Sequence, residues 1–293
     1  MEEIVKAGKI AQEVVAYAKS IIKPGMKLLD IANKVDEKIL ELGAKPAFPI
    51  NLSVNEVAAH ATPAFNDESV AQGLLKVDIG VHIDGYVADT AFSIDLENSD
   101  LNKKLIETAE KCVAKAVDKI GLDVKLREIG RVVQDTANDS GFVPVVNLTG
   151  HKIERYELHA GVSVPNYDNG QEIEIDEGLY AVEPFVTNGS GRVKDGRPSG
   201  IYHVVSEANV RDNFAREVLN FIDEEYNGLP FCSRWIYKKF GGRGLIALRQ
   251  IEQAGVIEQY AQLVESSKGI VAQAEHSVLL TKDKKIVTTK ALN

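Results

Sequence analysis

The stretch Val77-Asp-Ile-Gly-Val-His-Ile83-Asp84-Gly85-Tyr86-Val-Ala-Asp-Thr-Ala-Phe-Ser-Ile94 decides the fold. Asp84-Gly85 between two β-rich runs is a strong two-residue hairpin signal, so 77–83 and 86–94 read as antiparallel strands with Ile83 opposite Tyr86. In that register Asp78 faces Ala91, Gly80 faces Asp89 and His82 faces Val87. Opposite residues share a face, which makes Asp78 and Asp89 diagonal neighbours. Their backbones lie about 7–8 Å apart, close enough for both carboxylates to converge on one or two cations. Gly80 leaves room beside the Asp89 carboxylate. Val77, Ile79, Val81 and Ile83, with Tyr86, Ala88, Phe92 and Ile94, form the core face. The aspartate face also carries Val87 and Ala91, a poor composition for open solvent. Two anions there shift upward in pKa or hold a cation. On the hairpin alone, a metal site and an ordinary wetted face are both open.

Outward from the hairpin, apolar spacing predicts helices over 2–22, 27–42, 101–120 and 126–140. The first stops at Lys23-Pro24-Gly25, the second at Gly43 and the fourth at Gly141. Ser99 or Asp100 is placed to cap the third. A shift of 98 residues lays Lys27, Leu28, Ile31, Val35, Gly43 and Pro46 on Lys125, Leu126, Ile129, Val133, Gly141 and Pro144. Shared Gly and Pro punctuation argues for a duplicated helix–strand unit, hence two pseudo-twofold α/β halves with a site where they meet. Further β-rich runs cover 179–187, 270–281 and 286–289. From Asn188-Gly189-Ser190-Gly191 to about residue 268 the character changes, with helices expected over 210–226, 230–240 and 244–254. This segment reads as a mostly helical insertion in an α/β domain made of 1–187 and 269–293.

The charge of −9 argues against global capture of DNA or an anionic membrane. No stretch approaches the roughly 20 apolar residues of a membrane span. The N-terminal segment alternates charge with apolar residues, as an amphipathic helix does and a signal peptide does not. Cys112 and Cys232 read as buried small hydrophobes in a reducing cytosol.

Other groups could complete a site with the aspartates. His151 follows Gly150, and His159 comes eight residues later, on the same side if the intervening chain is extended. Glu183 in Leu-Tyr-Ala-Val-Glu-Pro-Phe and Glu275 in a similar apolar run are anions whose burial alone would be costly. His60 precedes His159 by 99 residues, almost the repeat offset. His82, His203 and His276 read as ordinary polar residues. Jointly, two Asp, two Glu and one His form an oxygen-rich set suited to two divalent ions such as Mn, Fe, Co or Zn. The remaining two histidines suit acid–base or electrostatic work beside it.

Taken in order, several motifs resemble type 2 methionine aminopeptidases of the short archaeal kind, in the pita-bread metallopeptidase family. They are His60-Ala-Thr-Pro63, Val77-Asp-Ile-Gly80, Asp84-Gly-Tyr-Val-Ala-Asp-Thr90, Gly150-His151, Tyr156-Glu-Leu-His-Ala-Gly161, Ala181-Val-Glu-Pro-Phe185 and Gln273-Ala-Glu-His276. The likeness spans essentially the whole chain and includes the insertion, which marks type 2. It also implies a first helix without the charged N-terminal extension of eukaryotic relatives.

The resemblance implies Asp78, Asp89, His151, Glu183 and Glu275 as ligands of a dinuclear centre bridged by Asp89 and Glu275. Asp78 would complete one ion, and His151 with Glu183 the other. It implies His60 and His159 as catalytic, substrate-contacting histidines, Glu183 as proton acceptor for a metal-activated water, and Phe48, Ile201 and Tyr260 near the methionine pocket. Ser277 and Ala274 stand where relatives more often have Thr and Phe. The implied activity is removal of the N-terminal methionine before small second residues, by a cytoplasmic monomer acting on peptides or nascent chains with transient ribosome contact. A Xaa-Pro aminopeptidase or prolidase, and a non-catalytic ribosome-associated module on the same fold, are the alternatives.

Overall fold

The computed structural model describes residues 1–208 and 210–290. Its elements follow the apolar spacing closely. Helices α1 (Glu2–Ile21) and α2 (Leu28–Glu41) bury Ile10, Ala11, Val14, Ile31, Val35 and Ile39. These pack under the hairpin residues Val77, Ile79, Val81, Ala88 and Phe92, the core face expected from the sequence. In the second half, α3 (Asp100–Lys119) and α4 (Leu126–Asp139) bury Leu105, Val113, Ile129 and Val133 against Tyr180, Val182, Val186 and Val278. Ser99 caps α3, accepting from the Asn102 N–H.

The repeat is met to the residue. Advancing α2 by the 98-residue offset gives the bounds of α4. The same offset carries strand Lys45–Pro46 onto Val143–Pro144. Gly43 and Gly141 end their helices at φ 75° and 80°, with open space around each missing Cβ. Their shared requirement is thus the left-handed backbone that terminates a helix, not close packing.

The hairpin strands run Leu74–Ile83 and Tyr86–Asp95 in the expected register, with Gly80 opposite Asp89 and Asp78 opposite Ala91. Strand Asn51–Val54 pairs on the far side of Leu74–Ile83, with Asn51 opposite Asp78. The second half differs. The continuous runs expected over 179–187 and 270–281 are each interrupted, giving Gly178–Val182 then Phe185–Thr187, and Val271–Gln273 then His276–Leu280. The strand expected over 286–289 runs Lys285–Val287.

Segment 188–268 departs from the mostly helical expectation. It holds α5 (Asn213–Tyr226) and α6 (Ser233–Gln253), the latter broken at Gly241 (φ 63°, ψ −156°). It also holds the long strands Val193–Val204 and Ile257–Glu265, which pair antiparallel. Pro230 is not helical, because Phe231–Cys232 instead pairs with Ile201–Tyr202. Alternating apolar residues in 193–204 are sparse, with Lys194, Asp195 and Arg197 facing out, so the strand signal is weak locally. On its other edge Ile257–Glu265 pairs with Val57–Ala59, the strand that leads directly into His60. Buried Glu265 closes the neck of the segment, accepting from the N–H groups of Ser190 (2.6 Å), Ser267 (2.7 Å) and Gly269 (2.8 Å).

Candidate active site

The hairpin delivers Asp78 and Asp89 from adjacent strands onto one face. Against that face the second half brings its two strand breaks. The first break is Glu183-Pro184, where proline supplies no N–H to continue a ladder. At the second, the N–H of Glu275 leaves its own sheet and donates to Ala91 O at 3.0 Å. Thr90 Oγ1 donates to Glu275 O at 2.9 Å. Ser277 Oγ accepts from the Asp89 N–H and donates to Asp89 O, both at 2.8 Å. The seam between halves is therefore stitched at the residues that carry the carboxylates. Ser277 has a specific task there, one that threonine at this position would also perform.

His151 arrives on strand Thr149–Ile153. Its Nε2 lies 3.6 Å from Asp89 Oδ2 and 3.5 Å from Glu183 Oε1. Asp89, His151 and Glu275 each present a donor atom, and the three atoms lie within 4.8 Å of one another. Gln273 Nε2 donates to Asp78 Oδ2 and Glu183 Oε2, each at 3.4 Å, and ties the remaining two carboxylates into the group. Asp78 Oδ1, Asp89 Oδ1 and Glu275 Oε2 are buried without a hydrogen-bond partner among the described residues.

Burial is the main cause of the electrostatics here. It raises the carboxyl of Asp78 to about 7, against a hydrogen bond from Gln273. Asp89, Glu183 and Glu275 are pushed well above the carboxylate range by burial first and by neighbouring carboxylates second, Asp78 acting on Asp89 and Glu183, and Asp89 on Glu275. Burial holds His151 down to about 3 and His60 to about 4, with the neighbouring charge of His159 acting in the same direction. His159 is lowered by desolvation and then by His203. Orphaned buried oxygens, mutually repelling carboxyls and a neutral imidazole form a donor set that fits hard divalent ions.

The candidate metal, catalytic and methionine-pocket residues all line one cavity of about 410 Å³: Asp78, Asp89, His151, Glu183, Glu275, His60, His159, Phe48, Ile201 and Tyr260. Two local expectations are corrected. The space over Gly80 is taken by Phe48, whose ring would stand 2.3 Å from a Cβ at that position. The glycine thus seats an aromatic wall and does not leave Asp89 free room. The chain between His151 and His159 is not extended. It turns back through Glu154–Glu157, with Ala160 N–H donating to Lys152 O at 2.8 Å, and this return brings the two imidazoles to 4.4 Å.

His203, read as an ordinary polar residue, stacks on Tyr260 at 4.5 Å, and Tyr260 meets His60 at 5.2 Å. Gln273 carried no role in the sequence, although its position two residues before Glu275 was a usable signal. Asp36 and Arg234 gave none, because they act across 198 residues.

A family model for metallopeptidase family M24 matches residues 2–282. The chain is 46% identical over 295 residues to the methionine aminopeptidase of Thermococcus onnurineus (strain NA1), covering 98% of this chain and 99% of that one. It is 42% identical over 292 residues to the methionine aminopeptidase of Methanocaldococcus jannaschii, covering 99% and 98%. Among solved structures, a methionine aminopeptidase from Thermotoga maritima superposes with a TM-score of 0.70 at 24% identity, over 99% of this chain and 96% of that one. That likeness speaks for the fold alone.

Proposed function

The chain belongs to metallopeptidase family M24, and from that premise we propose that it is a methionyl aminopeptidase of pita-bread fold, removing N-terminal methionine from peptides and nascent chains with small second residues. One observation carries the reading: two Asp, two Glu and one His converge on a single cavity, in a chain that matches named methionine aminopeptidases over nearly its full length.

In this reading Asp78, Asp89, His151, Glu183 and Glu275 would together hold two divalent ions of the Mn, Fe, Co or Zn kind. When bound, such ions polarise the scissile carbonyl and acidify a water. The chain's own groups do the rest. Glu183 accepts the proton of the attacking water and returns it to the leaving amine. His159 stabilises negative charge developing on the carbonyl oxygen, and His60 contacts the substrate near the scissile amide. Neutral His60, held at about 4, offers a ring N–H without a competing full charge at neutral pH. Phe48, Ile201 and Tyr260 form the wall for the methionine side chain.

We assign 1–187 and 269–293 to the catalytic body and 188–268 to a type 2 insertion. A monomer in a reducing cytoplasm with transient ribosome contact belongs to the same reading, supported for the compartment by two free, buried thiols. The test is metal-reconstituted protein offered Met-Ala-Ser and, separately, a Xaa-Pro dipeptide. Release of methionine from the first alone is the expected result. Turnover of the Xaa-Pro dipeptide alone would overturn the assignment.

A further inference from the structure

The loop bearing His60 belongs to the catalytic body, yet segment 188–268 holds it from both sides. Upstream, Ala59 pairs with Leu263 of that segment. Downstream, Arg234 of α6 donates from Nη1 to Thr62 Oγ1 (3.1 Å) and Pro63 O (2.9 Å). Its Nη2 donates to Asp36 Oδ2 of α2 at 2.8 Å, and Trp235 Nε1 donates to the same oxygen at 2.7 Å. Arg234 is 4% exposed and Asp36 8%. Between these anchors His60 adopts φ 58°, a left-handed backbone that a non-glycine residue keeps only when its surroundings impose it.

We propose that Arg234 and Asp36 are positioning residues for His60: the buried pair locks the 60–63 loop so that the imidazole stands over the cavity. This rests on the function proposed above and deepens it, giving the insertion a part in catalysis. The energetics of buried ion pairs point the same way. Such a pair contributes little net stability compared with apolar residues of similar volume, and here Asp36 Oδ1 and Arg234 Nε are left without partners among the described residues. What the pair supplies is direction. A guanidinium holds a hydroxyl, a carbonyl and a carboxylate in one rigid planar fork, whereas an ammonium is a compact charge on a flexible stem that fixes direction less well.

The test pairs Asp36→Leu with Arg234→Met, an apolar replacement expected to keep Tm and metal uptake near wild type. Kinetics on Met-Ala-Ser should show kcat lowered about 10- to 100-fold, the scale of an ångström-sized misplacement, with KM changed less. Arg234→Lys should recover part of the loss. Independently of turnover, imidazole NMR of metal-free protein, which has six histidines, should show the His60 signals moved and those of His276 unmoved. A double variant with wild-type kcat and an unmoved His60 signal overturns the proposal. Should the double variant fail to fold, Asp36→Asn carries the same readouts, and an unmoved His60 signal with wild-type kinetics is again the refuting result. If the wild-type protein releases no methionine, the proposed activity falls, while the His60 signal still judges the positioning.

Discussion

The two halves share helix bounds and one short strand to the residue, but not their longer strands. In the first, two ten-residue strands run unbroken, and Asp78 and Asp89 sit in mid-strand on one face. In the second, Glu183 and Glu275 sit where strands stop. A regular ladder places side chains perpendicular to its own sheet. A break frees backbone groups to bond elsewhere, as Glu275 N–H does with Ala91 O across the seam. A duplicated scaffold can therefore build one asymmetric site if one half supplies a platform and the other supplies ends.

The largest test asks whether both halves are needed. Asp89→Asn alters the platform and Glu183→Gln an end. Each should lower kcat on Met-Ala-Ser by about 10²–10⁴-fold in folded protein. Near-wild-type turnover by either variant would mean that its half is not part of the centre.

Metal removal tests what holds the halves together. Without a cation, chelator-dialysed protein should lose activity, and added divalent ion should restore it. Its pH dependence has a defined sign. The carboxyls of Asp78 (about 7), Asp89, Glu183 and Glu275 are raised in the fold, so the native state holds more protons than the unfolded chain above the ordinary carboxylate pKa. Their contribution is therefore lost as pH rises. His60 (about 4) and His151 (about 3) are lowered, so they cost stability as pH falls below their unfolded value near 6.5. Above that value the histidine effect fades, and the carboxyl effect is opposed by buried Lys76, whose ammonium burial holds well below its ordinary value. From about pH 6.5 to 8, the raised carboxyls should make the metal-free protein less stable as pH rises. Urea unfolding of the wild type and of Asp89→Asn at several pH values isolates this, and an identical pH dependence in both would break the account of the seam.

The smallest effect compares two glycines. A Cβ at Gly150 would meet Ala181 O at 2.2 Å, backbone that cannot yield, whereas at Gly80 it would meet the Phe48 ring, which can swing. Gly150→Ala should lower stability by about 1–3 kcal/mol. Gly80→Ala should cost less stability and instead raise KM for methionine peptides. Equal losses of Tm would erase the distinction.

Much of this was legible in the linear chain. The Asp84-Gly85 turn sets a hairpin register, and a period of two then decides which residues share a face. The turn register alone therefore places Asp78 and Asp89 on one face. Glu183 and Glu275 announced themselves as anions in apolar runs. The strands of 193–204 and 257–265 were hidden because their outer residues are charged and their pairing partners lie far along the chain. The return of the chain between His151 and His159 depends on hydrogen bonds to Lys152 that local composition does not encode.

Sequence alone thus determined the repeat, the hairpin register and the donor types of the site, because turn chemistry, helix termination and side-chain alternation act over a few residues. Only the tertiary structure decided where the second-half strands break, that Phe48 fills the space over Gly80, and that Arg234 reaches the His60 loop. These depend on which surfaces meet, a matter of packing between segments as much as 198 residues apart, where local periodicity carries no information.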